Sequence, residues 1–245
     1  MVKHFVLLIC SASHIREQSL DTPETVEVGG GVRPDGTVIW LHGLGADGHD
    51  FEPIVPELHL AEHANIRFVF PHAPVRPVTI NGGAPMRAWY DVISLDRTGP
   101  QDEAGIRDSA ASLMQLIERE NERGVDASRI VLAGFSQGGA IAMHTAMRFP
   151  HRLAGLMALS TWMPLESTIA EEVVGSSETQ PRDLPILMAH GTFDPMLPLA
   201  AGQHAREIMQ NSGFNVQWHE YPMAHAVCAE EISEIRNWLV DIYST

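Results

Sequence analysis

Cysteine is scarce in this chain: Cys10 and Cys228 are the only two, and they lie near opposite ends. Thiols so placed make no disulfide framework, and a reducing compartment is the simpler reading. Basic residues are also few, 16 against 31 acidic ones, for a formal charge of −15. Such a surface repels phosphate backbones and anionic headgroups, which argues against a nucleic-acid partner while leaving apolar contact with a membrane open. Long apolar runs are missing too. Nothing approaches the roughly 20 residues of a transmembrane helix, so no stable membrane anchor is expected. Near the N-terminus, the run Phe5 to Cys10 falls short of the about 7 to 15 apolar residues of a secretory signal. Residues 1–24 are therefore expected to be an N-terminal extension of a cytoplasmic protein, with secretion as the alternative.

What is there fits one α/β domain over residues 25–245. The length is ample for a core, and a hydrophobic content of 44% is ordinary for a globular protein. Apolar strand-like runs alternate with helical ones. Thr37 to Leu41, Ile66 to Phe70, Ile130 to Ala133, Leu153 to Ser160, Leu184 to Ala189 and Asn215 to Tyr221 read as strands. Gln101 to Arg123, Gly139 to Phe149, Leu199 to Asn211 and Ala229 to Tyr243 read as helices. Alternation of this kind predicts a mostly parallel central sheet with helices on both faces. Thr25 to Val28, followed by Pro34-Asp35-Gly36, suggest a small leading hairpin.

The most informative stretch is Gly134-Phe135-Ser136-Gln137-Gly138, directly after the apolar run Ile130 to Ala133 and directly before a helix. A strand that turns sharply into a helix through Gly-x-Ser-x-Gly exposes the serine hydroxyl alone, which is a nucleophile elbow. Side chains at 134 and 138 would collide with that turn. A nucleophilic Ser136 needs a base, and the base needs an orienting acid. In such folds the order along the chain is serine, acid, histidine. Asp194 and His225 fit that order, each on a loop after a strand, on the edge where α/β sheets bind ligands. Asp183 is a rival, but it precedes its strand. His190 reads as a strand-end residue, and His219 as a strand side chain.

An oxyanion needs two aimed backbone donors. Gln137 N–H, at the start of a helix, is one candidate. The other is Leu44 N–H, in the glycine-flanked loop His42-Gly43-Leu44-Gly45 after the strand Thr37 to Leu41. The stretch Pro71 to Pro100, rich in Pro and Gly, is expected to be a long irregular overhang that builds the substrate wall. Met86 and Trp89 from it, with Trp162, Met163, Met196 and Leu197 from other post-strand loops, form the candidate acyl site. Thirteen histidines invite a metal site, and His59 and His63 are one helical turn apart. No third ligand accompanies them, so no metal is expected.

Several of these segments together resemble the carboxylesterase and acyl-protein thioesterase family of α/β-hydrolases. They are Trp40 to Gly48, Asn81-Gly82-Gly83, Met86 to Asp91, Gly134 to Gly139, His190 to Pro195 and Tyr221 to His225. The resemblance spans about Thr37 to Tyr243. It implies an α/β-hydrolase fold and cofactor-free cleavage of short- to medium-chain carboxylic esters by Ser136, Asp194 and His225 through an acyl-enzyme. A thioesterase or lysophospholipase is the alternative within the class, and a non-catalytic ligand-binding relative the alternative outside it. The expected partner is therefore a small acyl ester or thioester; a homodimer is left open. Ala224 departs from the family, which usually has glycine before its catalytic histidine. A methyl there matters only if the backbone φ is positive.

An apolar acyl site has a direct consequence. Each buried methylene contributes roughly 0.8 kcal/mol, about fourfold in binding. Turnover across a series of acyl lengths is expected to rise until the chain outgrows the pocket. A flat profile from two carbons to sixteen would contradict the apolar site.

Overall fold

The computed structural model describes residues 22–94, 99–174 and 182–244. In chain order the elements are β1 (Thr25–Gly29), β2 (Gly36–Leu41), α1 (Ile54–Glu57) and β3 (Ile66–Pro71). A small hairpin follows, β4 (Val75–Val78) and β5 (Ala84–Arg87), then α2 (Glu103–Glu122), β6 (Ile130–Phe135) and α3 (Gln137–Arg148). The chain continues with β7 (Gly155–Leu159), β8 (Ile186–Gly191), α4 (Leu199–Asn211), β9 (Val216–Tyr221) and α5 (Ala229–Tyr243). The main sheet has seven strands in the order β1-β3-β2-β6-β7-β8-β9. Every neighbouring pair is parallel except β1 with β3.

The five strands from β3 across to β8 are buried along their whole length because both faces are covered. Alternate residues serve different cores, as the two-residue period of a strand requires. Ile39 and Leu41 of β2 belong to the core that this face shares with α2, α3 and α4, which contribute Ile106, Leu113, Ile117, Ile141 and Met209. Val38 and Trp40 pack on the other face with Ile54 of α1 and Ile235, Trp238 and Leu239 of α5. The α2 stripe recurs at helical spacing, and Asp102 starts the helix by accepting from Gly105 N–H at 2.9 Å. Among the described residues no helix is long and apolar enough to cross a membrane.

Three expectations are corrected. β1 is no partner of β2: it pairs antiparallel with β3, with Val26 opposite Phe70, because β2 already has β3 and β6 on its two sides. The stretch Pro71 to Pro100 is not irregular throughout, since it contains the β4–β5 ribbon. Pro77 lies opposite Pro85 there, which a two-stranded ribbon tolerates and a central strand does not. His59 and His63 do not share an α-helical face. His59 is left-handed (φ 46°), and only a short 3-10 turn separates the two. The run Phe5 to Cys10 lies outside the described residues.

At the amino ends of β2 and β3 sits a buried ion network. Glu120 of α2, fully buried, accepts from Arg67 Nη1 at 2.7 Å, Thr37 Oγ1 at 3.0 Å and Arg123 Nη1 at 2.8 Å. Removing one partner of a buried pair leaves the other charge unpaired in a poor solvent, which costs roughly 3–5 kcal/mol. Glu120→Ala should therefore lower the thermal midpoint by on the order of 10 °C. A shift within a degree of the parent in differential scanning calorimetry would show that the network contributes nothing.

Candidate active site

In the sheet order β3 lies on one side of β2 and β6 on the other, so successive connections leave β2 in opposite directions. Such a switch point opens a crevice at the carboxyl ends of the strands. The loop after β2 and the turn after β6 meet there. Leu41, the last residue of β2, is paired with Gly134 of β6.

Ser136 occupies the turn between β6 and α3 with φ 54° and ψ −119°. A non-glycine residue there is strained, and the conformation persists only if its surroundings impose it. Ser136 N–H donates to Leu159 O at 2.9 Å. Its carbonyl accepts from Ala140 N–H at 3.1 Å and Thr161 Oγ1 at 2.7 Å. The flanking glycines are needed for space. A Cβ on Gly134 would lie 2.4 Å from the Gly138 carbonyl, and one on Gly138 would lie 2.4 Å from Leu41 O.

Asp194 follows β8, and its side chain is wholly buried. Its Oδ2 is 2.6 Å from His225 Nδ1, and its Oδ1 accepts from the Met196 and Leu197 N–H groups at 2.8 Å each. A buried carboxylate facing Nδ1 sets the tautomer: Nδ1 carries the proton and Nε2 is left as the acceptor. The His225 ring rests on Phe135, with centroids 4.7 Å apart. The loop carrying it tolerates Ala224, which is not among the positive-φ residues of the described chain. Asp183, the rival acid, is exposed and ion-paired to Arg152 at 2.8 Å.

A cavity of about 300 Å³ opens at this edge and is lined by Ser136, Gln137, Leu44 and His225 together. Gln137 is the first residue of α3, so its N–H has no acceptor within the helix. Leu44 N–H makes no backbone hydrogen bond to another described residue. Trp162, Met196 and Leu197 also line the cavity. Met86, Trp89 and Met163 do not. Met163 points into the core beneath α3. Met86 lies on the β4–β5 ribbon, with Sδ 3.3 Å from Asn81 Nδ2.

Trp89 has a different task from the wall residue expected of it. Its indole N–H donates to His42 O at 2.9 Å, and its backbone N–H donates to Gln137 Oε1 at 2.8 Å. Gln137 Nε2 in turn donates to Tyr90 O at 2.8 Å. The tryptophan thus fastens the loop after β2 to the start of α3, and both of its donors are satisfied inside the protein. The Pro71 to Pro100 stretch does supply wall residues, Tyr90, Val92 and Ile93 among them, but sequence reading singled out none of these and missed Asp50 and Gln101. They lie in loops, where no periodicity marks which side chains face inward. His190 was read as a strand-end residue, yet its Nε2 donates to Leu197 O at 2.8 Å and lies 3.5 Å from Asp194 Oδ2. It braces the Asp194 loop from below.

These features define an α/β-hydrolase: a mostly parallel sheet with an elbow serine at its carboxyl edge. More narrowly, the chain belongs to the phospholipase/carboxylesterase family, whose model matches residues 24–242. It is a hydrolase of that family. Among its relatives, acyl-protein thioesterase 1 of Neurospora crassa is 37% identical over 216 residues, 85% of this chain and 87% of the relative. Acyl-protein thioesterase 1 of Mycosarcoma maydis is 37% identical over 224 residues, 85% of this chain and 92% of that one. Among solved structures, Arabidopsis thaliana SOBER1 superposes with a TM-score of 0.78 at 32% identity, covering 84% of this chain and 98% of its own. Zea mays acyl-protein thioesterase 2 gives 0.76 at 30% identity, with coverage of 90% and 99%.

The loop after β2 also carries a buried titratable group. His42 Nδ1 donates to Gly43 O at 2.7 Å, and Nε2 accepts from Ala73 N–H at 3.1 Å. Burial lowers its pKa from 6.5 to about 4. In the unfolded chain His42 takes up a proton below pH 6.5, while in the folded protein it stays neutral until about pH 4. Stability is therefore lost as pH falls through that window, by on the order of 3 kcal/mol at its lower end. Denaturant midpoints should decline from pH 6.5 to pH 4, and less steeply in His42→Gln. Equal slopes for the two proteins would refute the assignment.

Proposed function

We propose that this hydrolase cleaves acyl esters through a covalent acyl-enzyme formed on Ser136. The Ser136 hydroxyl attacks the acyl carbonyl while His225 Nε2 takes its proton. Asp194 holds the imidazole in the tautomer that leaves Nε2 free, and it stabilises the imidazolium that forms. The backbone N–H groups of Leu44 and Gln137 receive the oxyanion, acting as fixed dipoles that need no reorganisation. His225 then protonates the departing alcohol or thiol, and a water activated by the same histidine releases the acid. No cofactor takes part in any step.

The observation that carries this reading is the 2.6 Å contact between Asp194 and His225 on the wall of the cavity that Ser136 also lines. The acyl chain is assigned to the apolar part of that wall, formed by Val92, Ile93, Trp162, Met196 and Leu197. Short- to medium-chain carboxylic esters are the first substrate class. Thioesters are the second, favoured by relatives named acyl-protein thioesterase 1. Matched oxygen and sulfur esters of one acyl group separate the two. The cytoplasm is the proposed compartment, on the scarcity of cysteine.

A fluorophosphonate probe should label the purified protein and fail to label Ser136→Ala. Asp194→Asn should keep the fold yet lose on the order of 10⁴ in kcat with p-nitrophenyl butyrate, because the imidazole is then held in the wrong tautomer. Undiminished labelling of Ser136→Ala would place the nucleophile elsewhere and end this reading, and no labelling of the parent protein would favour a ligand-binding relative.

A further inference from the structure

Among the described residues, the carboxylates and imidazole on the cavity wall are Asp50, Asp91, Asp102 and His225, and none of the described lining residues is a lysine or arginine. Two of the carboxylates are occupied by the scaffold. Asp91 accepts from the Thr79 backbone N–H at 2.7 Å and from Thr79 Oγ1 at 2.5 Å, which fastens the end of the β4–β5 ribbon. Asp102 accepts from Gly105 N–H at 2.9 Å and Asp91 N–H at 2.8 Å, and it faces Arg76 at 3.7 Å.

Asp50 is different. It lies in the loop after β2 that also supplies Leu44 and Ala46 to the wall, and its backbone is pinned by N–H donation to Asp47 O at 3.1 Å. Among the described residues its carboxylate has no hydrogen bond and no ion pair. Burial against the cavity raises its pKa, and the neighbouring Asp47 pushes in the same direction. An anion in that position is partly stripped of water with nothing from the protein in return, a cost that an incoming cation relieves.

We propose that Asp50 makes this site selective for acyl esters or thioesters whose leaving group carries a positive charge, an ammonium or quaternary ammonium. The leaving group is the half of the substrate concerned for two reasons. The acyl chain is matched by the apolar residues Val92, Ile93, Trp162, Met196 and Leu197, where a cation would be poorly solvated. Asp50 lines the cavity yet keeps part of its surface in solvent, which assigns it to the mouth through which an alcohol or thiol departs. The cavity of about 300 Å³ keeps any substrate joined to Ser136 close to its whole wall, well within the range where a partly screened charge is felt. This inference rests on the esterase reading above and names the substrate class of that same site.

Butyrylcholine and 3,3-dimethylbutyl butyrate test it, because they share a shape and differ only in whether the quaternary centre is nitrogen or carbon. The wild-type protein should favour the choline ester in kcat/KM. Asp50→Asn should reduce that preference by about fivefold, the size expected for one partly exposed ion pair. Glu118→Gln, an equal change in net charge on the exposed face of α2, serves as control and should leave the preference unaltered. Turnover of both esters with no loss of preference in Asp50→Asn overturns the proposal. So does an equal loss in Glu118→Gln, which would assign the effect to the overall charge of −15. Failure to hydrolyse either ester strikes instead at the esterase reading. A second measurement needs no variant: choline should inhibit hydrolysis of p-nitrophenyl butyrate more strongly than 3,3-dimethylbutanol does, and equal inhibition also overturns the proposal.

Discussion

The strained backbone at Ser136 is the constraint on which the rest of the site depends. An L-residue at φ 54° is held there by hydrogen bonds to Leu159, Ala140 and Thr161, and by the close fit of Gly134 and Gly138 to their neighbours. If the turn relaxed, α3 would lose its starting direction, and Gln137 would be displaced from the cavity wall. The same helix packs against β6 and β7, so the strain is opposed by a large part of the core on that face. Buried apolar area, which has no direction of its own, is in this way converted into the orientation of a single hydroxyl.

The proposed acid and base are held by a different device. Asp194 sits on a loop, where precision is harder to obtain than on a strand. Its Oδ1 is fixed by two backbone N–H groups of the same turn, which leaves Oδ2 for His225. His190 braces the turn through Leu197 O. The proposed oxyanion side is secured by a chain of polar contacts running from His42 through Trp89 to Gln137. Each half of the site is therefore a small closed set of hydrogen bonds resting on the end of a strand, with the cavity between them.

Chemistry and cohesion are divided between the two ends of the sheet. At the carboxyl end the loops leave backbone donors and the Asp50 carboxylate unpaired among the described residues, which costs stability and creates binding capacity. At the amino end Glu120 satisfies its two oxygens with Arg67, Thr37 and Arg123. The family to which the chain belongs places its similarity over both ends, residues 24–242. Asp50 is the unpaired carboxylate at the chemical end, and its surroundings distinguish it from Asp91 and Asp102, which the scaffold has already used.

Much of this was legible along the chain because the relevant signals are local. The strand Ile130 to Ala133, the glycines at 134 and 138 and the helix after them follow from steric rules that act within a few residues. Helices α4 and α5 run over Leu199–Asn211 and Ala229–Tyr243, as their apolar spacing indicates. Asp194 was preferred to Asp183 because ligands bind at the carboxyl ends of parallel strands, and His225 to His219 because His219 reads as a side chain within a strand. Tertiary structure decided what depends on contacts between distant segments. It paired β1 with β3 rather than β2, since β2 had no free edge to offer. It turned Trp89 inward to bind His42 and Gln137, and it turned Met163 into the core. It left Asp50 on the cavity wall with no side-chain partner among the described residues. Loops have no period to show which side faces in, and a hydrogen bond between residues 47 positions apart is set by how the strands assemble.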